Sequence, residues 1–459
     1  MSRAGLIAAV VALAVSGCHR GDSDKDKPVA ATVQPAAATL SPTARRERAL
    51  AGRRLFVSWC SGCHGERGRG DGPAAQVVTP KPRDFVLERL KVRSTKTQPA
   101  SAQDVFDTIT RGLPGTSMPA FGFLTEAERG LLVEHVRALA GDDQKPPSKP
   151  MELGRPVPTS PESVARGQQL YTKMGCNKCH GDSGRGDGES AATLLDDRKR
   201  PTRPRDLTLG RFAGGNDAAA IHMRLRTGMQ GTPMPSFDAN MTPAQGWDLA
   251  NFVVSLRSPE PPLPTDPVAR GRAVVERRQC TACHVLEGKG GAVGPSLDLA
   301  ARKLRYDFVR TWLEDPPGFG KLYPWIAYRM PNLHLTGEEI DGVLALFASL
   351  ADRQYPEPPP APAVIDDKLL ADGQLLYLLK CTECHNLGNV IPTPEAKRQG
   401  PDLINVSRRL RWEWLPAWVG NPQAVYPGTT MVDTNLTPDE IKAVAAFLWK
   451  TSTDAQTKK

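Results

Sequence analysis

The chain has 459 residues, with 59 Lys and Arg against 50 Asp and Glu and a formal charge of +9. Beyond one short stretch near the N-terminus it has no long apolar run, which excludes a bundle of membrane-spanning helices and leaves the remainder expected to be soluble. The positive surplus is uneven: residues 45–145 hold 17 basic against 12 acidic side chains, and residues 366–453 hold 9 against 10. A basic N-terminal half suits an anionic membrane or an acidic partner, and equally an ordinary solvated surface.

In chain order, residues 1–17 have signal-peptide form. Arg3 makes a positive start, and Leu6 to Val15 form an apolar stretch too short to span a bilayer. The following Val15-Ser16-Gly17-Cys18 resembles the lipobox of bacterial lipoproteins, in which cleavage precedes the Cys and its sulfur is diacylated. Ordinary cleavage leaving a free thiol is the alternative. An odd exposed thiol in an oxidising compartment favours lipidation at Cys18, and several acyl chains give stable anchoring where one is marginal. Residues 18–44, rich in Ala, Pro, Thr, Asp and Lys, read as a flexible tether that includes His19.

The remaining eight cysteines fall into four copies of one pattern: Cys60-x-x-Cys63-His64, Cys176-x-x-Cys179-His180, Cys280-x-x-Cys283-His284 and Cys381-x-x-Cys384-His385. C-x-x-C-H is the attachment site of haem c. The two sulfurs add across the two vinyl groups of one porphyrin, and the adjacent His reaches the iron from one face. A redox disulfide does not need that His, and a zinc site would need its ligand pairs closer together. Four covalently bound haems c are therefore expected. The motifs lie about a hundred residues apart, so four small domains fit better than the three that a prior of roughly 150 residues per domain suggests. Haem propionates offset the formal positive charge, and no nucleic-acid partner is implied.

Pro-rich breaks at 145–161, 259–267 and 355–362 divide the chain into candidate domains 45–145, 161–258, 266–353 and 366–453. Each begins with a helix carrying a Gly ahead of the motif: Gly52, Gly167, Gly271 and Gly373. Each ends with a helix opened by a capping box: Thr125/Glu128, Thr242/Gln245, Thr336/Glu339 and Thr437/Glu440. Apolar residues then recur at helical spacing, so the last helix should pack across the first. Strand signals are weak, and an all-α fold is expected. The repeats form two pairs. Repeats one and two share Gly-Arg-Gly-Asp-Gly, Pro-Arg-Asp-Phe/Leu and Gly-Thr-x-Met-Pro-x-Phe; repeats three and four share Gly-Pro-x-Leu and an aromatic stretch.

Each repeat resembles a class I cytochrome c domain, and the resemblance covers nearly all of residues 45–453. It implies a second iron ligand, a Met from the loop before the last helix, opposite the His. The matching residues are Met118, Met234, Met330 and Met431. Met229 is set aside because Leu113 is its counterpart in repeat one. Repeat four departs from the pattern, with Val432 after Met431 where the others have Pro. His334 lies four residues after Met330 and could compete for that iron, but His135, His222 and His334 all read first as ordinary surface or core residues. Arg83 and Arg205 are candidates to pair with a propionate, with plain surface as the alternative. Trp312 and Trp418 match the aromatic that often touches a propionate in the family.

The lipobox-like sequence and the cytochrome resemblance together imply a lipid-anchored, periplasm-facing tetrahaem carrier relaying single electrons between a redox donor and acceptor, with no catalytic residue and no small-molecule substrate. The rivals are a haem peroxidase or small-oxyanion reductase with one labile axial site, and a cytochrome subunit of a larger respiratory or dehydrogenase complex. Whether the haems form one wire or two pairs joined at 259–267 is left open by the sequence.

Overall fold

The computed structural model describes residues 40–146, 148–316, 329–352, 365–391, 400–426 and 429–457. The signal segment, Cys18, most of the tether and the whole 355–362 break lie outside the described residues. Among the described residues the regular structure is helical apart from isolated bridges and one hairpin, in which the two-residue strands Val285–Leu286 and Lys289–Gly290 pair antiparallel just after the third motif.

Four opening helices, Pro42–Trp59, Pro161–Lys173, Pro267–Arg277 and Asp367–Lys380, each precede a C-x-x-C-H motif. Their starts are chemically marked. Ser41, Ser160, Asp266 and Asp366 accept from backbone amides of the first turn, and Pro follows the first three at a position whose N–H needs no partner. Four closing helices, Glu126–Leu139, Pro243–Ser255, Gly337–Leu350 and Pro438–Thr457, end the repeats. All four expected capping boxes form. Glu128, Gln245, Glu339 and Glu440 accept from the backbone amide of their Thr, whose hydroxyl caps the third residue of the helix in return.

Opening and closing helices cross at the four glycines. A Cβ placed on Gly52 would stand 2.5 Å from the Leu131 carbonyl oxygen; on Gly167, Gly271 and Gly373 it would stand 2.1, 2.2 and 2.1 Å from those of Asp248, Gly342 and Ala443. No side chain fits, so glycine sets the helix separation. Four apolar clusters follow, centred on Phe56 and Leu132, Tyr171 and Leu249, Val274 and Leu344, and Tyr377 and Val444.

The repeats associate in pairs by reciprocal contacts. Between one and two, the Arg83 guanidinium donates to the Gln230 carbonyl (3.1 Å) and that of Arg205 donates to the Gly115 carbonyl. Between three and four, Leu304 and Leu410 form an antiparallel bridge; each stands ten residues past the Gly of its Gly-Pro-x-Leu. The Arg305 amide donates to the Arg409 carbonyl (2.9 Å), and the Arg411 amide to the Lys303 carbonyl (3.0 Å). Side chains repeat the symmetry: the Lys303 ammonium sits 4.5 Å from the Trp414 ring centre, and the Arg409 guanidinium 5.8 Å from that of Phe308.

The linkers are held in place. Residues 149–151 bond to residues 94–96 of repeat one, while Leu153 and Val157 carbonyls accept from Trp247 and Asn251 of repeat two. Around 259–267, Arg277 donates to the Pro261 carbonyl and Arg270 to those of Pro264 and Thr265.

Candidate functional site

Each motif is one helical turn. The His amide donates to the carbonyl of the first Cys four residues back, at 2.9 Å for His64, His180 and His385 and 3.0 Å for His284. This brings both sulfurs and the imidazole of a motif together. Burial pushes the first thiol of every motif up, to about 12 for Cys60 and about 11 for Cys176, Cys280 and Cys381. That opposes the thiolate chemistry of a redox C-x-x-C.

The four imidazoles share one orientation. Nδ1 of His64, His180, His284 and His385 lies 3.0, 2.9, 2.7 and 2.8 Å from the carbonyl oxygens of Arg83, Arg205, Pro295 and Pro401. A carbonyl only accepts, so Nδ1 carries the proton and Nε2 keeps its lone pair for a metal. Burial lowers the pKa of all four rings, holding them neutral as ligation requires. The motifs shared within each pair are thereby explained. Pro-Arg-Asp places the Arg carbonyl at the His, and Gly-Pro-x-Leu places the Pro carbonyl there. In the second case the backbone passes directly beneath the ring: a Cβ on Gly294 or Gly400 would meet its His at 2.4 or 2.3 Å. These residues fit covalent haem in every repeat.

The Met loops also agree. The backbone amides of Met118, Met234 and Met431 donate to the hydroxyl two residues earlier, that of Thr116, Thr232 and Thr429, at 3.2, 3.3 and 3.3 Å. Those Thr amides in turn donate to the carbonyls of Leu113, Met229 and Tyr426. Met431 therefore sits in the same turn as its counterparts despite Val432. Met330 differs: its sulfur accepts from the Trp312 indole N–H at 3.3 Å. All four Met residues are half-buried.

Other candidates separate. His334 is exposed, His135 lies half-buried against Phe56, and His222 is fully buried. Trp418 stacks on Trp414 at 4.8 Å beneath Lys303. Arg83 and Arg205 are not plain surface residues. Arg83 pairs with buried Glu88, and both arginines reach the Met loop of the neighbouring repeat while their carbonyls hold their own His. Sequence reasoning missed this reach, and also missed the Tyr171 and Tyr377 hydroxyls. These donate to the carbonyls of Gly181 (2.7 Å) and His385 (2.9 Å) and tie the loop after each motif to its opening helix.

The family profile described as Cytochrome c matches residues 49–140, 164–257, 268–351 and 370–452. The chain belongs to the cytochrome c family. Among solved structures, a chain of the reducing HAO-like protein complex of Kuenenia stuttgartiensis is 35% identical, covering 45% of this cytochrome and 96% of that chain, with a TM-score of 0.44. Thiosulfate dehydrogenase from Marichromatium purpuratum, in its as-isolated form, is 17% identical, covering 87% of this chain and 90% of its own, with a TM-score of 0.17.

This is a multihaem c-type cytochrome. The family carries covalently bound haem c, and the four motifs fit four haems. Bound there, haem supplies a one-electron ferric/ferrous couple. Among the described residues no helix is long and apolar enough to cross a membrane. The pairing of repeats one and two is open to a direct test. Arg205→Leu removes the hydrogen bond to Gly115 and is expected to lower their stability by about 1 kcal/mol, read as a lower urea midpoint with haem content unchanged.

Proposed function

We propose that this cytochrome is a lipid-anchored carrier that relays single electrons on the periplasmic side of a bacterial membrane, between a redox donor and acceptor in a respiratory chain. In this reading residues 45–145, 161–258, 266–353 and 366–453 each hold one haem. Cys60 and Cys63, Cys176 and Cys179, Cys280 and Cys283, and Cys381 and Cys384 bind the porphyrins. His64 and Met118, His180 and Met234, His284 and Met330, and His385 and Met431 ligate the irons.

The observation that supports the relay most is the shared imidazole geometry combined with a half-buried Met in each repeat. A relay needs both axial positions filled and little rearrangement between oxidation states. Catalysis at iron needs one position open or displaceable. The proximal carbonyls fix each His, and the Thr116, Thr232 and Thr429 turns fix three of the Met backbones. The anchor reading rests on the Val15-Ser16-Gly17-Cys18 sequence alone.

Carbon monoxide added to the fully reduced protein tests this. No change in the Soret band is expected. A change equivalent to one haem would expose a labile axial site and put a haem enzyme in place of a relay; Met330→Ala and Met431→Ala would then locate it.

A further inference from the structure

Repeats one and three meet at a third reciprocal surface, although they are not neighbours in sequence. The Ser117 hydroxyl lies 3.5 Å from the Gln279 side-chain oxygen. Ser117 directly precedes Met118, and Gln279 directly precedes Cys280. In the opposite sense, the Arg329 amide donates to the Ser58 carbonyl at 3.0 Å, and its guanidinium lies 5.8 Å from the Trp59 ring centre. Arg329 directly precedes Met330, and Ser58 and Trp59 directly precede Cys60. Each repeat thus offers the flank of its Met loop to the flank of the other's motif. Across the same surface the Cys63 and Cys283 thiols are near enough to affect each other's ionisation. They are the same position of the motif, as a two-fold arrangement requires of residues near its axis. Gly291 packs against Val77 alongside: a Cβ there would stand 3.2 Å from the Val77 methyl.

We propose that the two haem pairs are joined through repeats one and three, so that electrons pass between pairs across the Ser117–Gln279 and Ser58–Arg329 surface and not along the covalent chain from repeat two to repeat three. The spatial order of sites is then two, one, three, four. This deepens the relay reading and rests on it. Ser117, Gln279, Trp59 and Arg329 each stand next to a haem attachment point or a proposed iron ligand. Electron tunnelling falls exponentially with the gap between cofactor edges, so hand-over takes the place where the flanks of two attachment motifs meet. The Met234 loop of repeat two is directed elsewhere: Gln230 and Gly231 face Arg83 of repeat one. The link at 259–267 joins the pairs covalently and is held against the opening helix of repeat three.

Two measurements on the full-length holoprotein test this. In Ser117→Cys/Gln279→Cys, a disulfide between residues 117 and 279 is expected in the peptide map, with four haems retained by pyridine haemochrome assay. A four-haem protein in which these thiols stay free overturns the juxtaposition. Separately, Ser117→Trp drives a wedge into the surface. Electron equilibration between the pairs after flash reduction is expected to slow at least tenfold, with the four midpoint potentials unchanged. Pro262→Trp, at the covalent link, is expected to leave the rate as it is. If Pro262→Trp slows equilibration and Ser117→Trp does not, hand-over runs from repeat two to repeat three and the inference fails. The relay reading would survive that result, because it stands or falls on carbon monoxide binding.

Discussion

One added carbon at Gly167 will destabilise repeat two by about 3 kcal/mol, the upper end of ordinary overpacking. In Gly167→Ala the new Cβ meets the Asp248 carbonyl oxygen at 2.1 Å and the Phe252 Cβ at 2.7 Å. The first obstacle is backbone, so it cannot rotate aside and the two helices must separate. Separation also strains a buried polar cluster at the crossing. The Asp248 carboxylate accepts from the Ser163 hydroxyl at 2.6 Å and from Arg166 at 2.7 and 2.8 Å. Pulling partners from a buried carboxylate adds a desolvation cost to the steric one. Gly130 supplies the control. It lies inside the closing helix of repeat one, and a Cβ there meets nothing within 4 Å. Gly130→Ala therefore removes only the helix penalty of glycine and should stabilise repeat one by up to about 1 kcal/mol. Hydrogen exchange by mass spectrometry, read repeat by repeat, distinguishes the two. Equal effects of the same sign would mean that the crossing glycine does not set helix spacing.

Features whose chemistry is local were legible in the sequence. C-x-x-C-H, the four capping boxes and the opening-helix glycines each act within a few residues or at one crossing, and each has a spacing that can be read directly. The Met431 turn was legible in principle, because Thr429 stands where Thr116 and Thr232 stand; Val432 drew attention to the wrong side of the Met. The Arg83 and Arg205 contacts were not legible. Their guanidiniums reach carbonyls well over a hundred or ninety residues away in the chain, and a carbonyl leaves no mark on composition or periodicity. The role of their carbonyls at His64 and His180 was hidden for the same reason.

The association of repeats was half legible. Shared motifs pointed to two pairs, and the structure pairs the same repeats. What similarity could not supply was how pairs meet. Repeats one and two pair through the Arg83 and Arg205 side chains, whose own carbonyls orient the His, whereas repeats three and four pair through residues 303–305 and 409–411, downstream of the Pro295 and Pro401 carbonyls that do so. Between repeats one and two a single residue thus serves the iron ligand and the neighbouring repeat together. A change in how two repeats pack would reach the proximal His through a single residue's backbone, a route by which pairing can tune potential.

Acid will weaken repeat two through His222, by up to about 3 kcal/mol between pH 6.5 and 4, the gap between its ordinary and folded pKa. The ring is fully buried, and neither nitrogen has a hydrogen-bond partner. It packs edge-on to Trp247 with ring centres 5.0 Å apart, and its Nε2 would stand 2.0 Å from a Cβ on Gly246. Burial, helped by the positive charge of Arg226, lowers its pKa from 6.5 to about 4; Arg226 itself pairs with Asp238. The sign follows from proton counting. Between pH 6.5 and 4 the unfolded chain protonates this imidazole and the folded chain does not. The unfolded state then binds more protons, so stability falls as pH falls, with no loss above 6.5 and the full loss below about 4. Asp248, held below its usual range by Arg166 and Ser163 against the cost of burial, adds an acid-dependent loss of its own at lower pH. The diagnostic quantity is therefore the difference between the native protein and His222→Leu. In that variant the decline of repeat two's unfolding free energy from pH 7 to 5 should flatten, while haem content and the spectrum at pH 7 stay the same. An unchanged slope would mean that His222 gains a proton in the folded state after all, and that some other group makes repeat two sensitive to acid.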